Sequence, residues 1–424
     1  MLQFYRKYFA IFILLLSSPV LVFSQEGGLQ NDLEWPQWRG PNRDGISMDS
    51  GLLKSWPPSG PQVLWRKVIG EGFSSISIRE GRTYTMFSEG GDEFAASYDA
   101  ESGEEIWRVR VDAKFVNSWG NGPRATPSVD ETRVYFASSR GKIFAIDIRS
   151  GEIAWQHDLV RDSGSLAPDL GYSNSPLLIG DLLIITAGGR SGKGILAFQK
   201  DTGVIQWSRE TSHPGYSSPI VIDAAGERQI IFFAGAEILS LSPENGDMFW
   251  RYEWGSQWNE NVATPVFIAE KYLFFSSAHP QDKGSVVLSI ERNGAAIEAK
   301  PLWKTNVMQN HFSSVVLKDG YLYGTDRSIL KCVDAATGEE KWRQRGYGEG
   351  TLVLAEDQLI VMGTSGQVGL VDATPERYNE KGRFKILSGK CYAPPSIANG
   401  KLFLRSHKEI ACLDIRDSSG VMNQ

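Results

Sequence analysis

A short motif recurs along the chain and constrains its fold more than any other feature. Residues 143–155 read IFAIDIRSGEIAW, and residues 330–342 read LKCVDAATGEEKW. Alternating apolar residues predict a strand, the Asp and Gly predict a tight turn, and a second strand then delivers the Trp. Each copy is therefore a predicted β-hairpin. Related copies end at Trp107, Trp207, Trp250 and Trp303, a copy near Asp372 offers Phe384 instead, and the last copy stops after Asp414.

A further pair of short strands precedes each hairpin. In one copy, Thr126-Pro127 opens a strand that leads through Asp130 to residues 134–137. Four short strands in roughly 40–50 residues match the size of one propeller blade. Eight such copies follow one another along the chain. We therefore expect an all-β fold, an eight-bladed β-propeller of four-stranded antiparallel blades.

The ring is expected to close through its N-terminal strand. The last copy lacks an outer strand, whereas residues 61–69 carry Trp65 and have no blade before them. Pairing the two would remove the exposed strand edges of an incomplete ring. Seven of the 13 Trp residues then occupy one repeat position. We interpret them as wedges between neighbouring blades rather than as ligand-binding aromatics.

The N-terminal residues are typical of an export signal. Arg6 and Lys7 precede the apolar run Phe9 to Leu16, and small residues follow up to Ser24. We expect a signal peptide over residues 1–24, an extended arm over 25–60 and the propeller over 61–424. The alternative is an uncleaved N-terminal anchor, although the apolar run is short for a membrane span. The protein is thus expected to be periplasmic or secreted, with no transmembrane segment after cleavage.

The repeats resemble the pyrroloquinoline-quinone-like (quinoprotein-type) β-propeller family, whose pattern is A-x-D-x-x-[ST]-G-x-x-x-W. The segment 35–45, WPQWRGPNRDG, also resembles a lead-in found ahead of such propellers. The resemblance is closest in kind to non-catalytic, BamB-like propellers, which bind other proteins, and to secreted repeat proteins of this family. The family also includes alcohol dehydrogenases that hold the quinone and Ca²⁺ at the centre of an eight-bladed ring.

The cysteines separate this chain from those dehydrogenases. Their adjacent cysteine pair is absent, because Cys332, Cys391 and Cys412 are far apart in the sequence. Cys332 and Cys412 occupy the same repeat position two blades apart, so we expect no disulfide between them. No Cys stands near the N-terminus, where a lipid-anchored relative would carry one.

Candidate binding residues lie in the loops that lead into the innermost strands. In a propeller these loops share one rim with the turns between the second and third strands, at the mouth of the central channel. Polar groups that converge between aromatic walls suit a small-molecule or peptide site. The alternative is that they cap strand ends and bond to one another. These residues are Trp119, Asn121, Arg124, Tyr172, Asn174, His213, Tyr216, Trp258, Asn259, Glu260, Asn261, His311, Tyr347, Glu349 and Tyr392.

Cationic turns are expected on the same rim. Arg140, Arg190 and Arg327 would attract an anionic ligand, unless they serve solubility alone. Glu260 with Asn261 or Asn174 offers oxygen ligands of the kind that Ca²⁺ takes. No catalytic residue and no metal ligand is assigned.

Taken together, these observations favour an exported, non-enzymatic β-propeller. We expect it to bind a protein, or a small anionic or carbohydrate ligand, on the rim of its central channel, with no cofactor. The alternative is a quinoprotein-type alcohol dehydrogenase that depends on PQQ and Ca²⁺. The net charge of −6 argues against a nucleic-acid partner. We expect a monomer.

Overall fold

The computed structural model describes residues 33–417, apart from 166, 212, 256–257 and 279–283. The expected signal peptide and the first residues of the arm lie outside the described residues. Within them, nearly all regular structure is β-strand, and the strands form eight separate sheets. Two strands precede the first blade, β1 (Ile46–Ser47) and β2 (Gln62–Val68).

The eight sheets are the blades of a propeller, and blades 1 to 6 each consist of four consecutive antiparallel strands. This confirms the fold class that the repeats predict. The helical segments of the described residues are short: a helix α1 (Leu159–Ser163) and a 3₁₀ turn at Ala269–Lys271. No helix described has the length and apolar character to span a bilayer.

The strands of blades 1 to 4 are β3 (Ser77–Arg79), β4 (Arg82–Glu89), β5 (Asp92–Asp99) and β6 (Glu105–Ala113); β7 (Ser128–Val129), β8 (Arg133–Ala137), β9 (Lys142–Asp147) and β10 (Ile153–Asp158); β11 (Leu177–Ile179), β12 (Leu182–Thr186), β13 (Ile195–Gln199) and β14 (Ile205–Arg209); β15 (Ile220–Ala224), β16 (Glu227–Phe233), β17 (Glu237–Leu241) and β18 (Met248–Glu253).

Blades 5 to 8 continue the same order, with two additions from the N-terminal side. Strand β1 pairs in parallel with the innermost strand of blade 7, and β2 forms the outer strand of blade 8. The strands of these blades are β19 (Val266–Ile268), β20 (Tyr272–Ser277), β21 (Gly284–Asn293) and β22 (Ala296–Thr305); β23 (Val316–Lys318), β24 (Tyr321–Asp326), β25 (Ile329–Asp334) and β26 (Glu340–Arg345); β27 (Thr351–Ala355), β28 (Gln358–Met362), β29 (Gln367–Asp372) and β30 (Glu380–Lys385); β31 (Ser396–Ala398), β32 (Lys401–Arg405) and β33 (Glu409–Asp414).

The N-terminal strand closes the ring, as the repeat count predicts. Strand β2 runs antiparallel to β33, and Trp65 lies opposite Cys412. The sheet of blade 8 therefore combines residues 62–68 with residues 396–414. Both edges of an otherwise open ring are paired by this contact.

The repeated Trp joins each blade to the next. The indole N–H of Trp107 in blade 1 donates to the Ile148 carbonyl in blade 2 at 3.0 Å, and Trp65 donates to Ala100 at the same distance. Trp155, Trp207, Trp303 and Trp342 make the equivalent bond to Lys200, Pro243, Ala335 and Thr374. Trp250 differs, because it donates to Gln229 of its own blade.

The Gly of each turn is required by the neighbouring indole as well as by its own backbone. Gly203 has a φ of 74°, in the left-handed region that favours glycine. A Cβ on Gly203 would stand 2.8 Å from the Trp155 ring. Gly103, Gly151 and Gly246 face the preceding Trp at similar distances. The turn glycine therefore provides the flat surface on which the indole lies.

We predict that Gly203→Ala destabilises the fold more than Gly81→Ala. Both glycines have a positive φ, of 74° and 71°, but a Cβ at Gly81 meets nothing within 4 Å. Gly81→Ala should cost about 1–2 kcal/mol of backbone strain. Gly203→Ala should cost about 1–3 kcal/mol more, because the indole of Trp155 must move. Urea unfolding of both variants measures the difference, and equal midpoints would contradict the stacking argument.

All three cysteines are free and buried. Cys332 lies on β25 of blade 6 and Cys412 on β33 of blade 8, so the predicted absence of a disulfide between them is confirmed. Burial raises the pKa of each thiol to about 12.

We predict that these thiols resist alkylation in the folded protein. The thiolate is the reactive form, and burial disfavours it at neutral pH. Iodoacetamide should modify no cysteine of the native protein and all three after denaturation, as judged by intact mass. Recovery of a Cys332–Cys412 crosslinked peptide would show that the blade register is different.

Candidate ligand site at the mouth of the channel

The two faces of the ring carry different connections. The loops between successive blades, and the turns between second and third strands, lie on what we call the upper face. The remaining turns lie on the lower face. The central channel runs between the two, lined by the innermost strands.

The N-terminal arm, residues 33–61, closes the channel from the lower face. Trp35 is buried and bridges Ile78 of blade 1, while the Trp38 indole donates to Thr264 Oγ1 of blade 5 at 2.8 Å. Ile46 then pairs with Leu354 of blade 7. Because the arm contacts blades on opposite sides of the ring, it crosses the channel.

Two buried arginines of the arm fasten it to the innermost strands. Arg39 donates to the Val315 carbonyl at 2.6 Å, and Arg43 donates to the carbonyls of Ser175 and Pro176 at 3.0 and 3.1 Å. Burial lowers the pKa of Arg39 to about 10 and that of Arg43 to about 9. Both therefore remain protonated at neutral pH and bring positive charge to the channel axis.

Above the arm, the channel mouth holds a cavity of about 130 Å³. Trp38 of the arm is part of its lining, and most of the wall comes from one repeat position. Seven blades each contribute the residue that stands four positions before the innermost strand. These seven residues are Phe73, Arg124, Ser173, Tyr216, Val262, Phe312 and Tyr392. The wall is therefore mainly aromatic and aliphatic, with one charged group.

A loop from blade 1 to blade 2, residues 115–124, crosses above this cavity. We call it the crossing loop. Its Trp119 is 51% exposed and packs edge-on against Phe312 of blade 6, with ring centroids 5.8 Å apart. The Trp119 carbonyl accepts from Lys390 of blade 8 at 2.7 Å, and Asn117 donates to the Asp169 carbonyl at 3.2 Å. The loop thus touches three other parts of the rim.

Arg124 is the charged group of the cavity wall. Its two terminal nitrogens donate to the carbonyls of Gly122 and Gly120, at 2.6 and 2.8 Å. The guanidinium lies 5.0 Å from the Phe115 ring centroid and 5.9 Å from that of Phe73. Burial lowers its pKa to about 10. Within the described ranges, no carboxylate lies in ion-pair contact with it, although the buried Glu93 is near enough to oppose the fall in its pKa.

A buried carboxyl holds the base of the crossing loop. Glu93 is fully buried, and its oxygens accept from the backbone N–H groups of Phe115 and Ser139 at 3.4 and 3.2 Å. Burial raises the pKa of Glu93 to about 7, although these N–H groups oppose the rise. Glu93 therefore titrates near neutral pH and ties the loop to blade 2.

Because of Glu93, we predict that stability falls as the pH rises from about 4.5 to about 7. In this range the folded state binds a proton at Glu93 that the unfolded state has released, so raising the pH favours unfolding by on the order of 1–3 kcal/mol. Glu93→Gln removes this contribution. The unfolding free energy of the variant relative to wild type should therefore increase with pH in urea titrations. Parallel pH profiles would contradict the buried titration.

Four of the predicted site residues meet in the cavity wall: Trp119, Arg124, Tyr216 and Tyr392. His311 and Glu349 lie beside it. The Nδ1 of His311 stands 3.2 Å from Glu349 Oε2, and its ring stacks on Phe312. Glu349 corresponds to these wall residues when blade 7 is aligned on the turn between its first two strands, although β27 begins only two residues after it. Asn121 supports the crossing loop by donating to Glu71 at 3.1 Å.

Four predicted site residues turn away from the mouth and into the blades. Tyr172 donates to the Ala187 carbonyl at 2.9 Å, and Asn174 donates to that of Thr186 at 3.3 Å. Asn261 donates to the Ala234 carbonyl, and the hydroxyl of Tyr347 donates to Glu380. All four are buried. These four residues do not converge on the channel mouth. They cap strand ends instead, which was the alternative interpretation.

A second group of predicted residues lies on the upper face outside the channel. A groove of about 480 Å³ there is lined by Arg190, His213, Trp258 and Asn259, among others. Tyr216 is common to the groove and the cavity. Glu260 follows Asn259 and is partly exposed. Arg140 and Arg327 are exposed rim residues, and Arg327 donates to Gln309 at 2.8 Å. None of these three belongs to the cavity wall.

Besides Ser173 and Ser218, the wall residues missed by sequence reasoning are apolar: Trp38, Phe73, Leu170, Val262, Phe312 and Pro394. The search was for polar and amide side chains, so it passed over them. The available signal was positional, because aligning the copies on their innermost strands places Phe73, Val262 and Phe312 in register with Arg124 and Tyr216.

These side chains do not fit a calcium-bound quinone. The cavity wall contains no carboxylate. The side-chain amides of Asn174 and Asn261 donate to main-chain carbonyls, and their Oδ1 atoms are buried without a hydrogen-bond partner, but the two residues lead into different blades and have no carboxylate beside them in the cavity wall. Among the described residues, no three His, Cys, Asp or Glu side chains are grouped so as to hold a metal ion. We therefore derive no redox step through such a cofactor.

Comparison with known proteins identifies the family. The family described as outer membrane protein assembly factor BamB matches residues 55–164 and 91–344, which is more than half of the chain. The chain belongs to the BamB family. BamB of Shewanella oneidensis is 20% identical over 369 residues, which cover 81% of this chain and 86% of that protein.

Solved structures show that the fold is shared more widely than the family. The crystal structure of BamB from Moraxella catarrhalis superposes on this BamB-family chain with a TM-score of 0.60 at 13% identity, covering 83% of this chain and 99% of that one. Quinohemoprotein alcohol dehydrogenase ADHIIG from Pseudomonas putida gives a TM-score of 0.65 at 12% identity, covering 92% and 81%. At these identities, the similarity concerns the fold alone.

Proposed function

We propose that this BamB-family protein is an exported, non-enzymatic propeller that binds a partner protein on its upper face. The observation that carries the proposal is the cavity at the channel mouth, to which seven blades each contribute one residue. The arm closes the lower end of the same channel, so the cavity opens to the upper face only.

The surface around the cavity has the composition of a protein interface. Trp119 and Trp258 are 51% and 63% exposed on the upper face, and Val116 of the crossing loop is also exposed. Exposed aromatic residues beside arginines are enriched where proteins bind one another. The name of the relatives, outer membrane protein assembly factor, supports a role in protein assembly.

Site-specific photocrosslinking tests this proposal. A photoreactive amino acid replaces Trp119 on the upper face or, as a matched control, Met48, which is 58% exposed on the arm at the lower face. In intact cells that export the protein, irradiation should give a discrete protein adduct from position 119 and none from position 48. Adducts from position 48 alone, or from neither position, would contradict the proposal.

A cofactor titration and an activity assay on the purified protein test the enzymatic alternative. Added pyrroloquinoline quinone and Ca²⁺ should leave the quinone absorbance spectrum unchanged, and dye-linked oxidation of alcohols should remain at the background rate. A saturable spectral shift accompanied by alcohol-dependent dye reduction would establish a dehydrogenase instead.

A further inference from the structure

We propose that the channel-mouth cavity binds a carboxylate that is attached to a single apolar ring. The carboxylate pairs with Arg124, and the ring packs against the walls of Phe73, Tyr216, Phe312 and Tyr392. This inference rests on the proposed function, because it names the ligand chemistry of the site through which the partner would bind.

The size of the cavity selects a single ring. An engineered apolar cavity of about 150 Å³ in another protein accommodates benzene. The cavity here measures about 130 Å³, which is close to that volume and enough for one six-membered ring. Its walls bring several aromatic faces around this volume, and Phe312 and Tyr392 already contact one another with ring centroids 5.3 Å apart. A flat apolar group gains most from such walls.

The charge of the wall selects an anion. The Arg124 guanidinium donates to two carbonyls, which leaves further N–H groups without a partner among the described residues. Carboxylates form strong charge-assisted hydrogen bonds with such a fork. Glu349, the acidic residue at the corresponding position of blade 7, lies beside the cavity near Tyr392, outside its wall, and its Oε2 stands 3.2 Å from His311 Nδ1.

The surroundings of the cavity strengthen this preference. Arg39 and Arg43 lie in the channel below Trp38, and Arg405 is fully buried between blades 8 and 1, where it donates to the Ser74 carbonyl at 2.7 Å. All three bond to main-chain carbonyls, and within the described chain none forms an ion pair. Charges in a low-dielectric interior act over longer distances than charges in water. Three buried guanidinium groups therefore lie below and beside the cavity, and Asp44 offsets part of the charge of Arg39.

Two sources offer this chemistry. One is a free monocyclic aromatic carboxylate, and the other is the C-terminal residue of a polypeptide that ends in Phe. Both place a carboxylate within a few bonds of one ring. A charged amine or a bare sugar does not match, because the cavity wall contains no carboxylate and few polar side chains.

Calorimetry with matched probes tests the proposal. The small-molecule arm compares 3-phenylpropionate with 3-phenylpropionamide and with propionate. The peptide arm compares Ala-Ala-Ala-Phe carrying a free C-terminal carboxylate with the same peptide amidated. In at least one arm, the carboxylate should bind at least about tenfold more tightly than its amide, since the amide loses the charge-assisted bonds. Propionate, which lacks the ring, should not bind measurably.

Variants of the cavity wall then distinguish the contribution of the Arg124 charge from that of the cavity volume. Arg124→Gln should weaken carboxylate binding about tenfold or more, whereas Arg140→Gln, which removes an exposed arginine outside the cavity, should leave it unchanged. Val262→Phe fills the cavity from blade 5, retains the Arg124 side chain, and should abolish binding. Because Arg124 supports the crossing loop, the Val262 variant keeps the test decisive if Arg124→Gln alters that loop. Circular dichroism and thermal melting confirm the fold of each variant.

The outcomes separate this inference from the proposed function. If neither carboxylate binds, or if each amide binds as well as its acid, the inference is overturned, and crosslinking from position 119 still decides the proposed function. If a carboxylate binds but position 119 yields no adduct, the proposed ligand chemistry is supported and the proposed partner protein is contradicted. Binding of 3-phenylpropionate but not of the peptide identifies a free small molecule as the source.

Discussion

The contact between one blade's indole and the next blade's turn is the interaction on which the whole ring depends. The Trp107 indole donates to the Ile148 carbonyl and packs against Gly151. Both residues belong to the following blade. Each turn is thus completed by its neighbour. Blade 7, which has Phe384 instead of Trp, packs that ring against Trp56 and Gly60 of the N-terminal segment. The repeat that lacks the Trp is therefore stabilised by residues outside the repeats.

The fold was predictable because these contacts require the same residues at the same position of each repeat. A turn that must hold an indole keeps its Asp and Gly, and the strand that follows keeps its Trp, so the copies align and their number can be counted. The closing role of residues 61–69 follows from the unpaired Trp65. The path of the arm across the channel could not be predicted from the repeats. Arg39 and Arg43 lie outside the repeats, and they contact blades that are distant in the sequence.

The site was only partly predictable, for a local reason. Successive residues of a loop point in different directions, and composition does not show which one faces the axis. Ser173 lines the cavity, whereas Tyr172 and Asn174 on either side of it turn into the blade. Arg124, Tyr216 and Tyr392 were found because they are polar or aromatic and also stand at the axial position. The crossing loop belongs to the connection between blades 1 and 2 and is not part of the repeat, so the repeats give no indication that Trp119 reaches Phe312.

The pairing of β2 with β33 has a consequence for how the chain is made. The strand at residues 62–68 is synthesised early, yet its partner at residues 409–414 comes last. Contacts so far apart in sequence form slowly, because a long loop must be closed before they stabilise anything. Until then, the growing chain is an open arc with a bare edge at each end. A chain that stops before residue 409 lacks the partner strand of β2, so its ring cannot close.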